Sequence, residues 1–277
     1  MKTLATLAIA AATVASLVSP SPAMTSVGDA VEVTIRTDDG RSLPLYPVKQ
    51  RRAVRRVFAE AVKGDHYRIE VRNRLNRRVG LVIAVDGRNI ISGTKSWLSN
   101  NERMYILDPY GTAEYAGWRT GRDQVNRFYF TSVDDSYAAA FKDESAMGVI
   151  AVAVYPEVVR YEEPQVLRHR APEAAARSDA AAPPAAAAPT AKAAPKTGES
   201  LAREESAGTG YGREEYSPSI TVAFEPEGAA REKSFIKYEW RETLCRKGVI
   251  PCGSRPLPRN RLWPEDNGYA PPPPRRG

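Results

Sequence analysis

One stretch of this chain divides what can fold: of the 27 residues from Ala171 to Thr197, 14 are Ala and five are Pro, and none is aromatic. Prolines 172, 183, 184, 189 and 195 break any long helix. A segment without large apolar side chains cannot bury enough area to offset the entropy of ordering it, which predicts a solvated, semi-extended linker over 171–197. The tail over 253–277 carries Pro256, Pro258, Pro264 and the run 271–274, and reads as polyproline-like and disordered. Foldable sequence is thereby confined to about 30–165 and a smaller unit over 208–252.

The first of these reads as mainly β. Val31 to Ile35 and Tyr67 to Val71 alternate apolar and polar residues. Val79 to Val85 is almost continuously apolar, as a strand covered on both faces would be. Asp86-Gly87 is a hairpin signal between that run and Asn89 to Ile91. Further strands are expected at Leu43–Tyr46, Met104–Leu107, Glu114–Ala116, Phe128–Thr131 and Gly148–Tyr155. Closely spaced strands with little helical periodicity predict an antiparallel β-sandwich. In the smaller unit, Ser219–Phe224 and Ser234–Tyr238 read as strands and Trp240–Lys247 as a short helix. Two strands are marginal alone, so this small β/α piece is expected to dock on the sandwich.

Residues 1–23 have the pattern of a secretory leader: Lys2, an apolar run from Leu4 to Val18, then Pro20, Pro22 and the small residues Ser21 and Ala23. Fifteen apolar residues are short for a bilayer span, although an N-terminal anchor is the competing reading. No transmembrane segment is expected after cleavage. Export would place Cys245 and Cys252, with six residues between them, in an oxidising compartment where they would pair. Free or metal-binding thiols are the alternative.

The segment Val85-Asp-Gly-Arg-Asn-Ile-Ile-Ser-Gly93 resembles a set of secreted bacterial envelope proteins to which no activity is assigned. Gly117-Trp-Arg-Thr120, Phe128-Tyr-Phe-Thr131, Asp135-Ser-Tyr-Ala138, Gly148-Val-Ile-Ala-Val-Ala153 and Gly208-Thr-Gly-Tyr-Gly212 are similar to the same set. The resemblance spans about 30–157 and 208–252. It implies an exported globular envelope protein and transfers no catalytic residue.

Two histidines and two cysteines leave little for a metal cage or a His-dependent nucleophile, and no metal or cofactor is expected. Neither His66 nor His169 has a Ser or Cys motif to serve as base. Gly208–Gly212 lacks the strand-to-helix setting and the Gly-Lys-Ser/Thr ending of a phosphate loop, so no nucleotide is expected and a flexible loop is the plainer reading.

Arginines cluster at 51, 52, 55 and 56 and at 72, 74, 77 and 78, in a chain of net charge +7. Such clusters can grip carboxylate, sulfate or phosphate through two N–H donors. Equally, 30 Arg against 10 Lys is a general bias that leaves them as solvated surface. Aromatics are dense from Trp97 to Phe130, and exposed rings there could stack on sugars, whereas Phe128 and Phe130 share a face and belong to the core.

The candidate ligand contacts are therefore Arg74, Arg77, Arg78, Trp97, Tyr110 and Trp118. The partners they would suit are an anionic polysaccharide, lipid headgroups or another envelope protein. The expectation is a non-catalytic binding or structural protein. Its alternatives are a subunit of an envelope assembly and a carbohydrate-active hydrolase drawing two carboxylates from Asp134, Asp135, Asp143 and Glu144.

Overall fold

A computed structural model describes residues 23–48, 54–159 and 206–253. The leader, the Ala/Pro segment and the tail lie outside these but for residues 23 and 253, as do Arg51, Arg52 and His169.

Among the described residues, fourteen strands form two sheets that enclose one core. The first sheet runs β1 (Val31–Thr37), β4 (His66–Asn73), β10 (Gln124–Ser132), β12 (Ala207–Thr209); β8 (Thr112–Tyr115) pairs with β4, and β9 (Gly117–Arg119) and β13 (Glu214–Tyr216) pair with β10. The second runs β2 (Leu45–Pro47), β3 (Val54–Ala61), β14 (Glu232–Trp240), β11 (Val149–Pro156), β5 (Val79–Val85), β6 (Arg88–Asn89), with β7 (Tyr105–Leu107) on β5. Every pair is antiparallel except β3 with β14, so the second sheet is mixed.

The period-two strands behave as their sequence dictates. Val31, Val33 and Ile35 of β1 point inward with Tyr67, Ile69 and Val71 of β4, while the polar residues between them face out. In β5 all seven residues are buried, because its two faces meet different apolar layers. Val79, Leu81, Ile83 and Val85 enter the core between the sheets. Val82 and Ala84 pack with Leu98, Ala151, Ala153 and Tyr155 in a second cluster on the outer face. Phe128 and Phe130 are both in the core, stacked on Tyr67 at 5.3 and 4.3 Å between ring centroids. Asp86 and Gly87, with φ of 49° and 78°, make the two-residue hairpin expected between β5 and β6.

Three readings need correction. Ser219–Phe224 is no strand: β13 ends at Tyr216, opposite the first residue of β10, and Ile220 beyond it is 87% exposed. Pro218 supplies no N–H to continue the ladder. Gly208–Gly212 is no flexible loop, since Ala207–Thr209 is a buried strand on β10. A Cβ at Gly210 would lie 2.2 Å from the Tyr129 ring and one at Gly212 2.7 Å from the Arg127 carbonyl; the glycines serve close packing. The third concerns the small C-terminal unit. Its longest strand, β14, lies inside the second sheet between β3 and β11 rather than upon the sandwich.

After β14 the short helix α1 (Arg241–Arg246) ends at Gly248, whose left-handed φ of 69° lets its N–H reach the Cys245 carbonyl. Cys245 and Cys252 form a disulfide, with Cα atoms 4.9 Å apart. Closing so short a loop is worth about 2–3 kcal/mol in the chain-entropy account. Reduction is therefore expected to lower the thermal midpoint by several degrees while leaving the β-sheet circular dichroism intact. A collapse of the β signal on reduction would contradict this.

Candidate functional site

Where β6, β9, β10 and the turns after β10 meet, they enclose a cleft of about 450 Å³, within the range of small-molecule sites. Its walls include Ile90, Trp118, Tyr129, Tyr137, Phe141 and Tyr211. Ile90 follows β6 in the second sheet and its carbonyl accepts the Arg119 N–H of β9 in the first, at 2.8 Å. The cleft thus sits on a seam between the sheets.

Tyr137 is the centre of its aromatic lining. Its ring lies 4.4 Å from Trp118, is stacked with Tyr211 at 5.4 Å, and meets Phe141 edge-on at 5.0 Å. Local hydrogen bonds hold these rings. The Trp118 Nε1–H donates to the Gly210 carbonyl at 3.0 Å, and the Tyr137 N–H to the Thr209 carbonyl at 2.9 Å. Two 3-10 turns, Val133–Asp135 and Ala139–Phe141, carry Asp135 and Phe141, with the Ser136 hydroxyl donating to the Val133 carbonyl at 2.6 Å. Arg119 lines the cleft but is committed elsewhere: its Nε–H donates to the Tyr105 hydroxyl and its Nη1 to the carbonyls of Gly121, Arg122 and Ser217.

Behind the cleft, Asp86 fixes the β12 end of the wall. Its carboxylate accepts the Gly148 N–H at 2.7 Å, the Thr209 N–H at 2.7 Å and the Tyr238 hydroxyl at 2.6 Å. The Thr209 hydroxyl also bonds the Tyr67 and Tyr238 hydroxyls, both at 2.7 Å, so one polar cluster joins β4, β5, β12 and β14. Complete burial pushes the Asp86 carboxyl up to about 6, against the pull of its donors and of Lys237. Burial also raises the Tyr67 and Tyr238 phenols.

The six ligand contacts read from the sequence fall in different places. Trp118 is 2% exposed and forms part of the cleft wall. Trp97 is 75% exposed on a separate loop, held by Glu102 accepting the Trp97 and Ser99 N–H groups at 2.8 and 2.9 Å. Tyr110 is exposed in a turn, donating its N–H to the Leu75 carbonyl. Arg77 pairs with Glu227 at 2.8 Å, and Arg78 with Glu157 at 2.9 Å, while the Arg78 Nη2 donates to the Ala223 carbonyl. These two arginines fasten the 223–227 segment to the second sheet. Arg74 is exposed. In the other cluster, Arg55 pairs with Asp29 and Arg56 lies over the Phe235 ring.

Of the four acids, Asp135 lines the aromatic cleft and accepts the Ser132 hydroxyl at 3.0 Å. Asp134 and Glu144 line a second recess with Lys142, and Asp143 bonds Ser145 and Lys95. The His66 ring packs 5.7 Å from Tyr129. Among the described residues no group of three or more His, Cys, Asp or Glu could hold a metal ion, and no helix is long and apolar enough to cross a membrane.

Tyr129, Tyr137, Phe141 and Tyr211 were not among the contacts read from sequence. A signal was nonetheless available. Five of the six strings that carry the resemblance place residues in the cleft: Ile90 and Gly93, Trp118, Tyr129, Tyr137, and Tyr211. Comparison of the chain with family models, with curated proteins and with solved structures returned no match.

Proposed function

We propose that this chain is an exported, non-catalytic binding protein of the bacterial envelope, and that its aromatic cleft takes a saccharide ring. The observation that carries the reading is the Trp118–Tyr137–Tyr211 array lining the cleft, with Tyr211 46% exposed. Flat apolar faces beside the hydroxyls of Ser92, Thr120 and Tyr129 match the two surfaces of a sugar: C–H groups on a ring face and hydroxyls at its rim. The disulfide and the leader-like N-terminus support export. The internal pairing of Arg77 and Arg78 weighs against a broad basic face as the main site.

Titrating the purified protein with neutral and acidic di- to tetrasaccharides, followed by intrinsic fluorescence, tests this. At least one is expected to bind saturably, and Tyr211→Ala to weaken it about tenfold, or ~1.4 kcal/mol, with the thermal midpoint unchanged. Binding insensitive to Tyr211→Ala, or no binding across the panel, would contradict the reading. Asp135 in the cleft wall keeps the hydrolase reading open to the same assay: turnover lost in Asp135→Asn would replace the non-catalytic account.

A further inference from the structure

Arg88 opens β6 immediately after the Asp86-Gly87 turn and is 8% exposed. Its Nη1 donates to the Gly93 carbonyl at 2.6 Å, and its guanidinium carbon lies 3.9 Å from the centroid of the Phe141 ring. Both Gly93 and Phe141 line the aromatic cleft. The Arg88 Nε is buried without a hydrogen-bond partner, and among the described residues no carboxylate pairs with this guanidinium.

Arg127 supplies the contrast. It is buried too, at 3% exposure, and its Nε also lacks a partner, but its Nη groups pair with two carboxylates, Asp38 and Glu215. That is the ordinary arrangement, because an enclosed charge without a counter-ion is costly. Nearby charges do not fill the role for Arg88. The Lys95 Nζ, from the residue bridged to Arg88, is engaged with Asp143 at 3.3 Å, and Asp135 accepts the Ser132 hydroxyl.

Building on the cleft reading, we infer that the missing counter-ion arrives with the ligand: Arg88 anchors a carboxylate carried on the sugar ring, making the ligand a uronic acid residue of an acidic polysaccharide. A guanidinium offers a planar pair of N–H donors that matches a carboxylate. Stacking on Tyr137 and Tyr211 would supply ring recognition, and Arg88 would supply the choice of acid over neutral sugar. Phe141, lying over the guanidinium, keeps water from it and strengthens the pairing.

Digalacturonate and its dimethyl ester, which share rings and differ in charge, separate the two claims. The protein is expected to bind the acid at least tenfold more tightly than the ester at low salt. Arg88→Met, which keeps the packing against Phe141, is expected to abolish that preference and leave ester binding unchanged. Equal binding of acid and ester by the unaltered protein, or a preference that survives Arg88→Met, would overturn the role of Arg88 and leave the cleft reading standing. Binding of neither would overturn the role of Arg88, while the cleft reading would fall only if the wider saccharide panel also failed to bind. Should Arg88→Met fail to fold, Arg88→Lys keeps the charge without the paired donors and is expected to lose about fivefold for the acid alone; undiminished acid binding would refute the assignment.

Discussion

A fragment ending at Val159 is expected to lose cooperative folding altogether, not to survive as a trimmed sandwich. β14 pairs with β3 from Lys233 opposite Val54 to Trp240 opposite Ala61, and with β11 from Glu232 opposite Val154 to Lys237 opposite Val149. Its removal strips both neighbours of their partner and opens the middle of the second sheet. Ile236, Tyr238, Leu244 and Ile250 all leave buried positions. At about 1.5–3 kcal/mol each, they account for as much as a typical domain's whole stability, about 5–15 kcal/mol. The Glu232 carboxylate goes too, and with it the acceptor for the Asp29 and Ala30 N–H groups at 2.8 and 2.7 Å that begins β1. Thermal unfolding followed by circular dichroism checks this. A cooperative transition within a few degrees of the full chain would show that the segment after the linker is a dispensable addition.

Replacing Asp86 is expected to be the most damaging single change. Asp86→Ala leaves the Gly148 and Thr209 N–H groups and the Tyr238 hydroxyl buried without their acceptor. At about 1–3 kcal/mol for each abandoned donor, a loss of about 3 kcal/mol or more is expected in denaturant titration at pH 5. A loss below 1 kcal/mol would contradict the role given to this carboxylate.

The same group sets a pH dependence whose sign is fixed by its surroundings. Its carboxyl is raised from 3.8 to about 6 in the folded chain. Between those values the folded chain holds a proton the unfolded chain has released, so stability is greatest below the lower value and declines as pH rises through the upper one. The span corresponds to roughly 3 kcal/mol. Asp39, held at about 2 by the Thr37 hydroxyl and Arg41, acts oppositely: its stabilisation is lost only as pH falls through that lower value. The difference in stability between the natural protein and Asp86→Asn isolates the effect. It should shrink in favour of the variant from pH 4 to 7, and a difference independent of pH would contradict it.

The strands most visible in the sequence are those whose pattern is local. Val31–Thr37 and His66–Asn73 alternate, and Val79–Val85 and Val149–Pro156 are continuous because both faces of their sheet are covered. β3 escaped notice because Arg55 and Arg56 read as surface charge, although Val57, Ala59 and Ala61 face inward along the same strand. Gly208–Gly212 looked like a loop because Gly208 and Gly210 answer to Ser136 and Tyr129, neighbours more than sixty residues away. Ser219–Phe224 erred the other way: its β propensity is real, but β10 begins at Gln124 and offers it no partner.

The site was legible only in part, and for the same reason. Aromatic density marked Trp118, but it marked Trp97 and Tyr110 equally, and these lie exposed outside the cleft. Tyr137 and Tyr211 become neighbours only because β12 pairs with β10, a contact that no local periodicity encodes. Arg88 looked like any residue of a hairpin. Its distinction, a buried charge without a carboxylate, exists only once the chain is folded.

The central claim is that ligand enters the cleft lined by Trp118, Tyr137 and Tyr211 rather than settling on the Trp97 surface. The chain's four tryptophan indole N–H signals in NMR, with those of Trp97 and Trp118 assigned by replacing each in turn with Phe, separate the two during titration with digalacturonate. The account predicts a saturable shift of the Trp118 signal, whose N–H is bonded to the Gly210 carbonyl, with the Trp97 signal unmoved. A shift of the Trp97 signal with Trp118 silent would contradict it.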